Sequence, residues 1–300
     1  MTETTAKRCY RRGVRFPGSA AVGTIYRRSN EIWAYRNLTY NLAQRELKVR
    51  YKKSLLGWLW SLINPLSMLF IYTVVFGVFL KGDPPAMGND NIRFFASPKV
   101  YGLYLFSGLY VWNYFNGTVQ GAIDSLKNSG HLMNKVYFPP ECPVIATTAT
   151  VALQAFIEGG LLAIIMILIG NVGWTFLLFP VILVFTGMFA VGIGMALSVY
   201  NVYYRDVGYL VGIGMNLLFY ATPIIYPISL VPTEAWGLPL QKIMSFNPVY
   251  RFVLISRDAF YTLQWPTLWT LITVVIGSLL VFFAGWKLFL RKARNITEEL

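Results

Sequence analysis

Six apolar stretches, each long enough to cross a bilayer, occupy most of this 300-residue chain. A hydrocarbon core about 30 Å thick is crossed by roughly 20 apolar residues in a helix. The stretches are Ser54–Leu80, Val100–Gly121, Val144–Gly170, Trp174–Val199, Val207–Ile228 and Pro266–Trp286. Only 13% of the residues are charged, against about 25% in soluble domains. The pattern predicts an all-α, polytopic membrane protein with six transmembrane helices.

Charge orients it. Twenty of the 26 Lys and Arg residues fall before span one, after spans two and four, or after span six. The other six are Lys81, Arg93, Lys99, Lys242, Arg251 and Arg257, on the opposite side. Lys and Arg concentrate in cytoplasmic loops, so both termini are expected in the cytoplasm. The net charge of +13 is therefore topogenic, and it does not indicate nucleic acid. Cys9 and Cys142 lie on the reducing side, where no disulfide is expected. No signal-peptide pattern opens the chain, so span one is expected to serve as the targeting signal.

Residues 1–29 form a basic, Gly/Pro-containing tail, suited to resting on anionic headgroups or to docking. Residues 30–53 place Ile32, Tyr35, Leu38 and Leu42 at three- to four-residue steps. That spacing predicts an amphipathic helix capped by Ser29 or Asn30, with Glu31 in its first turn. Its basic face and Trp33 suit the cytoplasmic membrane interface. Residues 54–290 form the membrane domain. Pro65 should kink span one, because proline lacks the N–H that a helix interior needs. Five residues, VGIGM, recur at 191–195 and 211–215, and both copies are expected to pack helices closely. Within 229–265 no run is long enough to span, and Asn247–Pro248 marks the start of a short helix. External helices, some dipping back as re-entrant or gate elements, are expected there. Residues 291–300 form a cytoplasmic tail.

Several chemistries are missing. No GxxxxGK[ST] loop is present, so no ATP site of the chain's own is expected. One histidine, His131, and two separated cysteines cannot make a His/Cys metal cluster. No carboxylate pair suggests acid–base catalysis, so no catalytic residue and no metal are expected. Glu158 is the one acid deep in a span. It reads either as a functional intramembrane carboxyl or as a neutral, paired one facing other helices.

The stretches RELKVRYKKSLLGWLWSLINPL (45–66), SGHLMNKVYFPPECPVIA (129–146), YNVYYRDVGYL (200–210) and TPIIYP (222–227), with Asn247–Pro248, stand in order on consistent sides. Together they resemble the membrane subunit of ATP-binding-cassette polysaccharide exporters. These move lipid-linked O-antigen, teichoic acid, capsule or cell-wall galactan out of bacteria. The resemblance covers roughly residues 30–290.

It implies a multi-pass protein of the bacterial inner membrane that pairs with a second copy of itself and with two ATPase subunits. ATP and Mg would be bound by that partner, with no cofactor in this chain. The loop Lys135, Val136, Tyr137, Phe138, Pro139, Pro140 would couple to the ATPase cleft. Prolines stiffen such a loop and aromatics fill a groove; an ordinary interfacial loop is the alternative. Arg205 and Asp206 would contact the ATPase or the interfacial helix, or be only topogenic. The implied substrate is a polyprenyl-diphosphate-linked polysaccharide. Arg45, Lys48 and Arg50 would receive its diphosphate, or simply mark the inner side. Spans one and five would line the channel, with Tyr72, Phe76, Tyr220 and Tyr226 facing sugars, since aromatic rings stack on sugar faces. Membrane lipids complete the expected partners. Rival readings are a type-2 exporter of a lipid or drug, a membrane-embedded glycosyltransferase or acyltransferase, and a channel or secondary transporter.

Overall fold

The computed structural model describes residues 28, 30–52, 54–89, 100–204, 206–234 and 237–293. The expected tail up to residue 27, the cap candidate Ser29, Arg205 and residues 294–300 lie outside the described residues. The chain builds nine α-helices among the described residues, with short 3-10 and π segments at their ends.

Residues 30–34 are helical, and after a turn at Tyr35 helix α1 runs Arg36–Tyr51. Ile32, Tyr35, Leu38 and Leu42, partly buried, pack against a cluster built on Leu126, Met133, Phe138, Cys142 and Phe289. The apolar stripe therefore meets protein, while Trp33 is 70% exposed. Lys48 and Arg50 stand in the last turn, where cations favour the helix dipole.

Gly57, at φ +50°, turns the chain out of α1 into span one. A 3-10 turn, Gly57–Leu59, leads into α2, Trp60–Tyr72, and a π segment, Thr73–Phe79, ends the span. Pro65 has no N–H, so the Ser61 carbonyl one turn back loses its partner. Gln154 Nε2 donates to that carbonyl at 3.2 Å from the neighbouring helix. The proline thus creates an acceptor that joins two spans.

The packed centre is α3 (Tyr101–Met133), α4 (Glu141–Ile169), α5 (Leu178–Tyr203) and α9 (Leu268–Lys292). Helix α5 lies between α3 and α9, and α4 packs on α3. Gly170, at φ +97°, ends α4, and its N–H donates to the carbonyls of Met166 and Ile167. The short turn to α5 that follows makes these two helices adjacent, as their spacing predicts. Gly192 and Gly285 let α5 and α9 touch at backbone distance, and a Cβ on Gly285 would collide with the Gly192 carbonyl. Gly194 similarly abuts Ala122. The second VGIGM copy departs from expectation: a Cβ on Gly214 meets open space and one on Gly212 meets only Gln120 at 3.8 Å. That copy lies on α6, Val207–Ala221, which buries no residue within the protomer.

Among the described residues, four helices are long and apolar enough to cross a membrane: Gly57–Phe79, Glu141–Ile169, Trp174–Tyr203 and Leu268–Lys292. Helix α3 is long but polar enough to fall outside that group, and α6 is shorter. Two further helices follow α6: α7, Leu240–Phe246, and α8, Pro248–Phe260. Asn247 caps α8 through its side chain, which accepts from Val249 N at 2.9 Å, with Pro248 in the first turn. Helix α8 does not lie free on the surface. Ser256 bonds the Ser107 carbonyl and Tyr110 of α3, and Arg257, buried, donates to the carbonyls of Pro223 and Ile224 beneath the Tyr104 ring. Asn171 and Thr175 bond the carbonyls at the end of α8, closing this side of the molecule.

Candidate functional site

Between α3 and α4 the loop 135–140 divides into a tip and an anchor. Lys135, Val136 and Tyr137 are exposed, Tyr137 at 71%. Phe138 is 3% exposed, seated among Leu126, Met133 and Cys142, with Pro139 also buried and Pro140 half-buried. Of the two aromatics expected to face outward together, Phe138 instead turns into the core. The reason is local: Cys142 N bonds the Pro139 carbonyl at 3.0 Å, starting α4 at once and rolling Phe138 under the helix end.

Glu141, first residue of α4, is fully buried and ionically held. Arg28 Nε donates to one of its oxygens at 2.8 Å and a second guanidinium nitrogen to the other at 2.9 Å, while the third reaches Glu31 at 2.7 Å. Burial alone would lower the Arg28 pKa, but Glu141 and Glu31 outweigh it and hold the guanidinium above its ordinary value. The loop anchor is thereby tied to the residues just ahead of α1. Further along α1, burial raises the Glu46 carboxyl, opposed by a hydrogen bond from Thr147 of α4 and by Arg50. Glu141 and the role of Arg28 escaped notice in the sequence; a lone acid directly after a Pro-Pro pair is the signal that was available.

The second loop, between α5 and α6, is held by Asn201, also missed. Its buried Oδ1 accepts from Gly208 N at 3.0 Å and from Lys127 Nζ at 3.3 Å. Asp206 stands exposed ahead of α6. Arg45, Lys48 and Arg50 are all exposed along α1.

The four expected channel aromatics separate into two pairs. Phe76 stacks on Tyr101 with centroids 5.5 Å apart, and Tyr72 lies 6.2 Å from Phe76, so this pair packs largely within the protomer. Tyr220 is 68% exposed, and the half-buried Tyr226 donates to the Tyr220 carbonyl at 2.8 Å.

Glu158 is buried on α4 and takes a hydrogen bond from Gln154 at 3.1 Å. These two residues, with Arg50, Trp60, Ser61 and Asn64, line a cavity of about 320 Å³ beneath the bend from α1 into span one.

Residues 37–261 match the family model described as ABC-2 type transporter. A relative named O-antigen export system permease protein RfbA, from Myxococcus xanthus, is 27% identical over 271 residues, 90% of this chain and 98% of the relative. A protein of the same name from Klebsiella pneumoniae is 26% identical, covering 73% of this chain and 78% of its own. Polysialic acid transport protein KpsM of Escherichia coli is 22% identical over 78% of this chain and 88% of its own.

Proposed function

The chain belongs to the ABC-2 type transporter family and is a multi-pass inner-membrane protein, and from this we propose that it is the permease of an ATP-driven polysaccharide exporter. Two copies form the conduit, and two ATPase subunits bind their cytoplasmic face. Helix α3 and the α6 segment are the second and fifth of six spans, both termini are cytoplasmic, and α7 and α8 form a re-entrant outer gate. The contact of Ser256 with Tyr110 supports that depth, since Tyr110 lies nine residues, roughly 13 Å, along α3 from its outer end at Tyr101.

One observation carries the assignment of moving parts. Three exposed residues, Lys135–Tyr137, project from an anchor in which Phe138 joins the cluster that α1 packs on and Glu141 is paired with Arg28. A push on the tip is transmitted to α1 and α4 as a body, because close-packed side chains do not absorb displacement. In this reading Tyr137, Lys135 and Val136 meet the ATPase, joined by Arg205 and Asp206; Phe138, Pro139 and Pro140 give the tip a rigid base. Arg45, Lys48 and Arg50 meet the diphosphate of a polyprenyl-linked glycan. Helices α2 and α6 bury little within the protomer, and they form the conduit walls, with Tyr220 and Tyr226 on the sugar path and Tyr72 and Phe76 backing the wall.

The test is ATP turnover in lipid nanodiscs of this chain co-purified with the ATPase encoded beside it. Turnover that changes on Tyr137→Ala, with the complex intact, supports the reading. Export of lipid-linked glycan with no ATPase bound would end it.

A further inference from the structure

The cavity beneath the α1–α2 bend lies at the cytoplasmic end of span one. Thr147 of α4 already meets Glu46 on α1, and two turns later Gln154 reaches Ser61, at the start of α2. Its lining is unusual for a membrane helix pair. Asn64 and Gln154 offer amides, Glu158 a carboxyl, Trp60 an indole, and Arg50 a cation at the end of α1. Ionisable and amide groups inside a span are costly unless they serve one another or a ligand. Gln154 spends its Nε2 on Ser61 and Glu158, and Asn113 also bonds the Glu158 carboxyl, which leaves the Gln154 oxygen, the exposed Asn64 amide and the further lone pairs of the carboxyl for a guest.

We infer that this cavity seats the first sugar of the lipid-linked glycan, with the lipid phosphate held outside it by Arg50. The mixture of donors and acceptors matches hydroxyls, each of which both gives and takes a hydrogen bond. An apolar indole beside such groups matches a pyranose face. At about 320 Å³ the space reaches the size range of small-molecule sites. A phosphate-anchored ammonium, as in phosphatidylethanolamine, needs acceptors alone and would leave the amide donors idle. The seat rests on the export reading above; it adds that the protein recognises the sugar next to the phosphate, and not only the charge.

The experiment uses the full chain in nanodiscs and measures binding of three probes: a short polyprenyl diphosphate bearing one N-acetylhexosamine, the same diphosphate without sugar, and phosphatidylethanolamine. The wild type is expected to prefer the sugar-bearing probe about tenfold over the bare diphosphate. Glu158→Gln and Asn64→Leu should each abolish that preference and leave the bare diphosphate within twofold. Asn64 is exposed, so its replacement leaves the core closed. Arg50→Ala should weaken both diphosphates together. A preference that survives both substitutions overturns the seat, as does phosphatidylethanolamine displacing the sugar probe in the wild type but not in Glu158→Gln. If the wild type binds the bare diphosphate and shows no sugar preference, the seat fails and the export reading stands. If neither diphosphate binds, both fail.

Discussion

Arg28 grips the buried carboxylate of Glu141 with two parallel hydrogen bonds, 2.8 and 2.9 Å, across 113 residues of sequence. The pair fastens the segment just ahead of α1 to the base of the loop 135–140. It also explains how a carboxylate can sit fully buried beside the Phe138–Cys142 cluster: a bidentate guanidinium supplies both charge and donors.

Removing Arg28 should cost more than a surface charge. Breaking a buried pair leaves its partner uncompensated, typically at about 3–5 kcal/mol. Arg28 is still reached by water, so Arg28→Ala should cost about 2–3 kcal/mol. Adding Glu141→Gln should recover part of that loss. Thermal unfolding in nanodiscs of both single variants and the double measures the interaction; additive losses would mean that the pair does not bind the helix to the loop.

The loop's two aromatics should fail in different ways. Phe138→Ala empties a core position and should destabilise the chain by about 3–5 kcal/mol. Tyr137→Ala removes an exposed ring and should shift stability by no more than about 0.5 kcal/mol, while reducing ATP turnover by the partnered complex severalfold. Melting temperature and ATPase rate, measured on the same preparations, separate the two effects. Equal melting losses would place both rings in the core.

The two VGIGM copies also call for different outcomes. Gly285→Ala forces a methyl onto the Gly192 carbonyl and should cost about 1–3 kcal/mol through separation of α5 and α9. Gly214→Ala meets nothing within the protomer and should leave monomer stability unchanged. A change in oligomeric state with Gly214→Leu, followed by native mass spectrometry, would place that glycine at a contact between copies.

Much of this architecture was legible in the chain because periodicity and punctuation act locally. The stripe Ile32, Tyr35, Leu38, Leu42 found its buried side, and Asn247–Pro248 opened a helix as its capping chemistry dictates. What stayed hidden depends on partners distant in sequence. Phe138 turns inward where the tight start of α4 meets a cluster that also draws in Phe289 of α9, far along the chain. Identical pentapeptides behave differently because Phe282 and Gly285 press on the glycines of one, while only Gln120, at 3.8 Å from Gly212, approaches those of the other. Pro65 announced a broken helix bond, but Gln154, 89 residues later, uses the freed carbonyl. Arg257 counted as an outer-loop cation, yet it closes on carbonyls at the end of α6.

Beside Arg257, the carboxyl of Asp258 makes the end of α8 pH-dependent. Burial pushes it up to about 6, against a hydrogen bond from Thr262 and the Arg257 charge, which both pull it down. An unfolded aspartate ionises near 3.9, so between about pH 4 and 6 the folded chain holds a proton that the unfolded chain has lost. Stability contributed by this group therefore falls as pH rises through that window and levels off above it. Asp258→Asn keeps the shape without the charge, and should be more stable than the wild type by about 1–2 kcal/mol at pH 7.5 and indistinguishable from it at pH 4. Melting curves of the two proteins in nanodiscs across that range provide the check. A wild type that gains stability with rising pH relative to Asp258→Asn would show instead that the carboxylate is held charged, with Arg257 outweighing burial.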